Sequence, residues 1–394
     1  MAKATELTLP HTLQPSALTA AWWAVAARFL LHGLIVSTWV SRIPSLQSTL
    51  SLTNASLGVC LLGTAVGSVL GVPGAGWLVA RFGSKQVAAW STIGFCFALL
   101  APALAVNAPT LFLALALYGL LAGANDVAIN SQAVAVEAEI GEPTMSRFHA
   151  LFSLGGMFGA GLGGLIAARG VAPLIHFGTA AIFFLVISAC TAPFLWHSQN
   201  AARHVSRLDL RRIPRTLILL TIIGSCMFLS EGAVADWSGV YLKQVLLANP
   251  ASAAAGYALF STGMAIFRLF GDTVTRRLGP VMTVRAGALL AACGLTVALT
   301  AQAPAWALPG FALTGAGFSV IVPLAFSAGG NINSLPAGAA IATVSGSGYI
   351  GFLFGPPLIG FIAHASSLRA ALFLLVGLSL LTAVLANAVD VTKQ

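Results

Sequence analysis

The chain has 394 residues, 58% hydrophobic and only 7% charged, with a formal net charge of +9 and a mean hydropathy of +0.93. A water-soluble protein of this length cannot keep so apolar a surface. The basic excess does not point to nucleic acid either, because Lys and Arg gather on alternate loops between apolar segments.

In chain order, twelve apolar stretches of roughly 18–25 residues follow one another, each able to cross a ~30 Å hydrocarbon core. They fall near 20–42, 54–79, 87–106, 110–136, 147–168, 173–196, 216–241, 254–275, 281–301, 305–327, 338–363 and 369–389. In lipid each must be a helix, because every backbone amide needs an internal partner. The expected fold class is therefore an all-α membrane protein. The first stretch lies behind polar and mixed residues and lacks a small-residue cleavage site, so no signal cleavage is expected.

Twelve crossings bring both ends to one side. That side would hold Lys3, Arg81, Lys85, Arg147, Arg203, Arg207, Arg211, Arg212, Arg215, Arg276, Arg277, Arg285 and Lys393, against Arg42, Arg169, Lys243 and Arg369 on the other. The excess predicts cytoplasmic termini, with the basic loops facing anionic lipid headgroups. Cys60, Cys96, Cys190, Cys226 and Cys293 all fall inside apolar segments without a CxxC neighbour. Buried free thiols and no disulfide are expected.

Residues 197–215 form the long polar interruption, with five Arg and one Asp. They read as a cytoplasmic linker, with an amphipathic helix on the membrane face as one form, between halves 1–196 and 216–394. The halves echo each other. Phe29-Leu30-Leu31-His32-Gly33 returns as Phe228-Leu229-Ser230-Glu231-Gly232. Gly155, Gly159, Gly164, Ile166 and Ala167 return as Gly351, Gly355, Gly360, Ile362 and Ala363. Arg81-Phe82-Gly83 returns as Arg277-Leu278-Gly279. Parallel repeats of this kind imply two pseudo-symmetric six-helix bundles with a site between them. The spacing Gly155-x3-Gly159, like Gly351-x3-Gly355, predicts close helix packing. Pro323, and Pro356 with Pro357, predict kinks in the tenth and eleventh segments. Ser345-Gly346-Ser347-Gly348 has the look of a phosphate loop, but its place inside a membrane segment favours packing.

Between the second and third segments stands Gly76-Trp77-Leu78-Val79-Ala80-Arg81-Phe82-Gly83. It resembles the loop motif of the major facilitator superfamily, in which a glycine, a leucine, an acid, an arginine and a glycine hold that spacing. Ala80 takes the acid's place; the second copy, Gly271 to Gly279, carries an acid at Asp272. The resemblance implies a cytoplasmic latch made by Arg81, Asp272, Arg276 and Arg277, bound in one conformation and released in another. Asn125-Asp126-Val127-Ala128-Ile129-Asn130 resembles the fucose-permease branch, with an acid in the fourth helix and asparagine four residues on. That likeness implies that Asp126 is the proton-linked acid and that Asn130 lines the substrate site. The branch also has an acid in its first helix, whereas Trp39 to Pro44 has none. Ser230-Glu231-Gly232 with Asp236-Trp237 is similar to uncharacterised bacterial relatives of the branch.

The remaining polar groups lie deep in apolar segments, where charge costs several kcal/mol unless paired or wetted. Arg28 and His32 share a helix face, as do Asp126 and Asn130. Asp126 is either a proton site or a fixed structural partner, with Arg28 the candidate counter-ion. Glu231 is the repeat counterpart of His32, so both should face the central cavity. Glu231 reads as a coupling or binding group. His32 either titrates, donates to a substrate hydroxyl or pairs with Glu231. Arg28 snorkels, reads a substrate anion or tunes Asp126. Arg268, one turn before Asp272, reads as its partner. Trp39 and Asp236 with Trp237 read as stacking groups near the outer mouth or as interfacial aromatics, whereas Trp22, Trp23 and Trp196 read as interfacial. His149 lies beside Arg147, with Glu137 and Glu139 as candidate contacts. Asn331 and Asn333 read as turn and cap residues.

No GxxxxGK[ST], HExxH, GxSxG, paired CxxC or EF-hand spacing is present. No enzyme, cofactor or metal is expected. The reading is a secondary transporter, proton-coupled and acting by alternating access, with Asp126 and Glu231 as coupling acids. Candidate substrate contacts are His32, Asn130, Trp39, Asp236, Trp237 and Arg28. The family resemblance implies a sugar or polyol as solute, a bacterial inner membrane and a monomer. Proton-driven export of drugs or metabolites is the first alternative, and a transport-dead membrane sensor the second.

Overall fold

A computed structural model describes residues 15–142, 144–197, 213–332, 335 and 337–391. Lys3, Arg203, Arg207, Arg211, Arg212, Asn333, Lys393 and most of the 197–215 linker lie outside the described residues. Twelve helical spans are long and apolar enough to cross a membrane, at the twelve positions expected. The first runs Ser16–Thr49, longer than the predicted 20–42. No strand occurs among the described residues.

The first span is two helices, α1 (Pro15–Val40) and α2 (Ile43–Thr49). Pro44 lies in the first turn of α2, where its missing N–H costs nothing; continued from α1, its ring would oppose the carbonyl of Val40. The next helices are α3 (Asn54–Phe82), α4 (Ser84–Ala98), α5 (Ala108–Ile140), α6 (Met145–Ala168) and α7 (Pro173–Thr191). The second bundle starts with α8 (Arg215–Gln244), α9 (Pro250–Leu278) and α10 (Pro280–Thr300). The tenth span breaks into α11 (Pro304–Phe318) and α12 (Ile321–Gly330), placing Pro323 in a new first turn. The expected kink there is thus a full break. By contrast Pro356 and Pro357 lie within the unbroken α13 (Ala337–Ala365). The chain closes on α14 (Leu368–Leu385).

We call the face where α1 begins and α14 ends proximal and the other distal. Four helices starting distally carry side-chain caps: Thr53 on α3, Asn107 on α5, Asn249 on α9 and Ser367 on α14. Each satisfies an N–H that lipid could not. At the proximal face the tight turns α3–α4 and α9–α10 pivot on Gly83 (φ 82°) and Gly279 (φ 76°). Both are positive-φ positions where a side chain would strain, which explains their recurrence in the repeat.

Packing within each bundle explains the other echo. A Cβ at Gly155 would strike the carbonyl of Leu30, and one at Gly33 that of Phe152, so α1 and α6 meet backbone to backbone. In the second bundle a Cβ at Gly351 would lie 2.6 Å from the carbonyl of Ser225, drawing α13 equally close to α8. Ser347 belongs to the same seam, donating to the carbonyl of Thr221 (3.1 Å), and Gly348 lies against Phe228, so the second half of the Ser-Gly run is packing surface.

The bundles meet along two seams, α6 with α9 and α3 with α13. Distally, Gly58 touches Pro356 and Gly360, and Gly164 lies against Ala251 and Ala254. Lys243 on α8 donates to the carbonyl of Pro44 (3.0 Å) and to Ser48 (2.6 Å), and Gln244 donates to Gln47 (3.0 Å). Among the described residues, no polar bond crosses between bundles on the proximal side of Arg268. The polar ties between the bundles thus lie at the distal end and at Arg268.

Candidate functional site

The first bundle's wall is built on α5. Asn130 Nδ2 donates to the carboxylate of Asp126 (3.0 Å) and to its backbone carbonyl (2.9 Å), the i, i+4 contact expected from their spacing. One residue before Asp126, the buried Asn125 donates its amide to Ser91 (3.1 Å) and Thr92 (2.7 Å) on α4. Its Oδ1 is thereby turned to accept from His32 Nδ1 (2.9 Å). This network places a hydrogen on Nδ1 and leaves Nε2 outside it. The ring is wedged between Phe95 and Phe152, with centroids at 5.2 and 5.6 Å, and lies within electrostatic reach of Asp126.

The facing wall comes from α8 and α9. Glu231 lies within electrostatic reach of Arg268, and Tyr257 within reach of both. No ion pair joins Glu231 to Arg268 among the described residues. Arg268 instead crosses the gap: its Nη1 donates to the carbonyl of His149 (3.2 Å) and to Ser153 Oγ (2.7 Å) on α6. Further towards the distal face, Asp236 and Tyr257 come within reach of Tyr118 on α5. Asp126, His32, His149, Arg268, Glu231, Tyr257, Asp236 and Tyr118 thus form one polar chain across an otherwise apolar molecule.

Several expected partners are placed elsewhere. Arg28 does not reach towards Asp126. It is 1% exposed, and its guanidinium donates to the hydroxyl and the carbonyl (2.7 Å) of Ser188 on α7. The reason is depth: Arg28 lies one turn nearer the proximal end of α1 than His32, level with Ser188 near the end of α7. His32 bonds Asn125 and not Glu231. Trp39 (3% exposed, beside Tyr118) and Trp237 (0%) are buried core side chains. Of the belt candidates, Trp23 is exposed, whereas Trp22 packs on Phe148 and the Trp196 backbone N–H donates to Gln132.

Glu137 is no partner of His149; its carboxylate caps α6 by accepting from the amides of Thr144 and Met145. Arg268 bonds α6 rather than Asp272. Asp272, Arg276 and Arg277, at the proximal end of α9, are exposed; Arg81 lies over the rings of Trp77 and Phe82, and Arg276 donates to Thr273 (3.1 Å). Asn331 makes a local bond to the carbonyl of Ser327 (2.7 Å). All five cysteines are free, but Cys190 and Cys293 are exposed rather than buried. No group of three or more metal-ligating side chains occurs among the described residues.

Sequence reasoning left out Asn125, Tyr118 and Tyr257, and gave Arg268 the wrong neighbour. Asn125 was adjacent to the quoted acid. Only the packing of α4 and α1 around it revealed its role.

The family model described as Major Facilitator Superfamily matches residues 21–332. The chain is 36% identical over 369 residues to the uncharacterised transporter y4wD of Sinorhizobium fredii, covering 93% of this chain and 97% of that one. It is 36% identical over 366 residues to an uncharacterised MFS-type transporter of Yersinia pestis, covering 93% and 94%. The fosmidomycin resistance protein of Escherichia coli is 26% identical over 374 residues, covering 88% and 87%. Among solved structures, the nucleoside transporter NupG superposes with TM-score 0.70 at 13% identity, covering 93% and 98%. The transporter FucP in its outward conformation superposes with TM-score 0.66 at 15% identity, covering 95% and 99%. At these identities the structural likeness shows the shared fold.

Proposed function

Since the chain belongs to the major facilitator superfamily, it is a multi-pass membrane transporter, and we propose that it moves a small polar solute by alternating access, coupled to protons at Asp126 and Glu231. The observation that carries this reading is the pair of intramembrane carboxylates on facing bundles. Neither has an ion-pair partner among the described residues, and Asp126 is held only by a neutral amide. An unpaired carboxylate at that depth is costly to enclose. Protonation removes the cost, so the site can close and turn only when loaded. Asn130 spends its amide donors on Asp126, so its Oδ1 and His32 Nε2 are the polar atoms left for a hydroxyl-bearing solute, a sugar or polyol. Arg28, Trp39 and Trp237 support the bundles without touching the solute, and Asp236 lies beneath the distal closure.

On this reading the halves 1–196 and 216–394 rock about the site, joined by 197–215. The proximal face is cytoplasmic by its Lys and Arg excess. The protein acts as a monomer in a bacterial inner membrane, and the distal ties of Lys243 and Gln244 belong to the state closed to the outside. Arg81, Asp272, Arg276 and Arg277, exposed here, form the latch of the outward-open state.

Proteoliposomes containing a pH-sensitive dye test the proposal. Panels of sugars, polyols, nucleosides, organic acids and cationic drugs are offered to the protein and to Asp126→Asn. A solute-dependent pH change, lost in the variant while solute exchange survives, is expected. Undiminished uphill transport by Asp126→Asn refutes the assignment. A second reading, proton-driven export, draws on the likeness to the fosmidomycin resistance protein. A pH response confined to drug-like solutes would select it.

A further inference from the structure

We infer that Arg268 is the positioning residue through which the charge on Glu231 controls the seam between the two bundles. The inference rests on the proton-coupling reading above and adds to it a residue, a bond and a direction. Arg268 makes the central polar bond between bundles, to Ser153 Oγ and the carbonyl of His149. Its Nε is buried without a partner, so the guanidinium is only partly satisfied on α6. Arginine stays charged at every working pH and always needs acceptors.

Two sets of acceptors interact with it, one by hydrogen bonds and one by charge. One is neutral and belongs to the first bundle, Ser153 and the His149 carbonyl. The other is the carboxylate of Glu231, in its own bundle. An ionised carboxylate adds to the hydrogen bond an attraction between opposite charges that a hydroxyl or carbonyl lacks. Ionised Glu231 therefore draws Arg268 back into the second bundle and loosens α6 from α9. Protonated Glu231 lets it return to α6. The conformation described, with Arg268 on α6 and no ion pair to Glu231, is the protonated arrangement.

The surroundings leave few competitors. Tyr257 on α9 faces both groups, and His149 on α6 faces Arg268. Asp236 on α8 reaches Tyr257, and His32 on α1 reaches His149. α11 carries no titratable side chain. On α10, Arg285 is held by Asn387 and Ala383, and Cys293 is exposed. None of these offers Arg268 a second carboxylate. Asp272, one turn further along α9, is exposed.

The test is a distance measurement on the full-length protein in liposomes. Its five cysteines are replaced, and spin labels are placed at Val106 and Leu247, exposed residues of distal loops in opposite bundles (77% and 85%). Double electron–electron resonance is recorded from pH 5 to pH 9. The long-distance, distally open population should grow with pH in the parent. Arg268→Gln should reduce that response at least fivefold, and Glu231→Gln should hold the short distance at every pH. Ser153→Ala, a milder change should Arg268→Gln fold poorly, should move the midpoint to lower pH. A parental response preserved in Arg268→Gln, or an unmoved midpoint in Ser153→Ala, overturns the inference. A parent that ignores pH also overturns it. The proteoliposome dye measurement, which reads proton movement and not distance, then shows whether coupling itself fails.

Discussion

Gly360 offers a sharp test of how the distal closure is made. On Gly360→Ala the new Cβ would sit 2.7 Å from the carbonyl of Asn54, 3.0 Å from Gly58 Cα and 3.3 Å from Gly58 N. All three are backbone atoms at the start of α3, which Thr53 caps, so no side chain can swing aside. The seam must part until 2.7 Å becomes the 3.4 Å of ordinary contact. Overpacking of this kind costs about 1–3 kcal/mol. The contact joins different bundles, so the cost falls on the distally closed state and hardly on the folding of either bundle. At ~1.4 kcal/mol per tenfold, the open population should rise by roughly 5- to 150-fold. The Val106–Leu247 distance distribution reads that shift. Gly161→Ala is the control, because nothing lies within 4 Å of its Cβ. If Gly360→Ala and Gly161→Ala give the same distribution, the close approach of α3 to α13 does not hold the distal side shut.

Two further outcomes follow from particular bonds. Asn125→Ala removes the partners of His32, Ser91 and Thr92; at ~0.6 kcal/mol per membrane hydrogen bond the loss is about 2 kcal/mol, seen as a lower melting temperature in detergent. The same variant should lose solute-dependent proton movement, because the His32 tautomer is no longer set; full coupling would show that the network serves stability alone. Lys243→Met keeps the aliphatic stem but loses the donors to Pro44 and Ser48, and about 1 kcal/mol should raise the distally open population roughly fivefold. An unchanged Val106–Leu247 distance would show that this tie contributes nothing to closure.

What the sequence determined by itself is what a bilayer imposes locally. Twelve apolar segments had to be helices, because lipid supplies no hydrogen-bond partner to the backbone. The two-bundle plan was legible in the offsets, since Gly83 and Gly279 serve the same positive-φ turn and Gly155 and Gly351 the same close approach. The Asp126–Asn130 bond was legible for the same reason, because four residues on a helix bring side chains together.

Partners from different helices were decided only by the tertiary structure. Arg28 and His32 share a face in sequence, yet at their different depths that face meets Ser188 of α7 at one turn and Asn125 of α5 at the next. Arg268 is one turn from Asp272, yet α6 packs along α9 and takes its bond. Trp39 and Trp237 sit at depths where a mouth or an interface would suit an aromatic, but their bundles close over them. Spacing along one helix encodes which residues share a side. Which neighbour that side meets depends on helix rotation and crossing, and those follow from the packing of all twelve spans together.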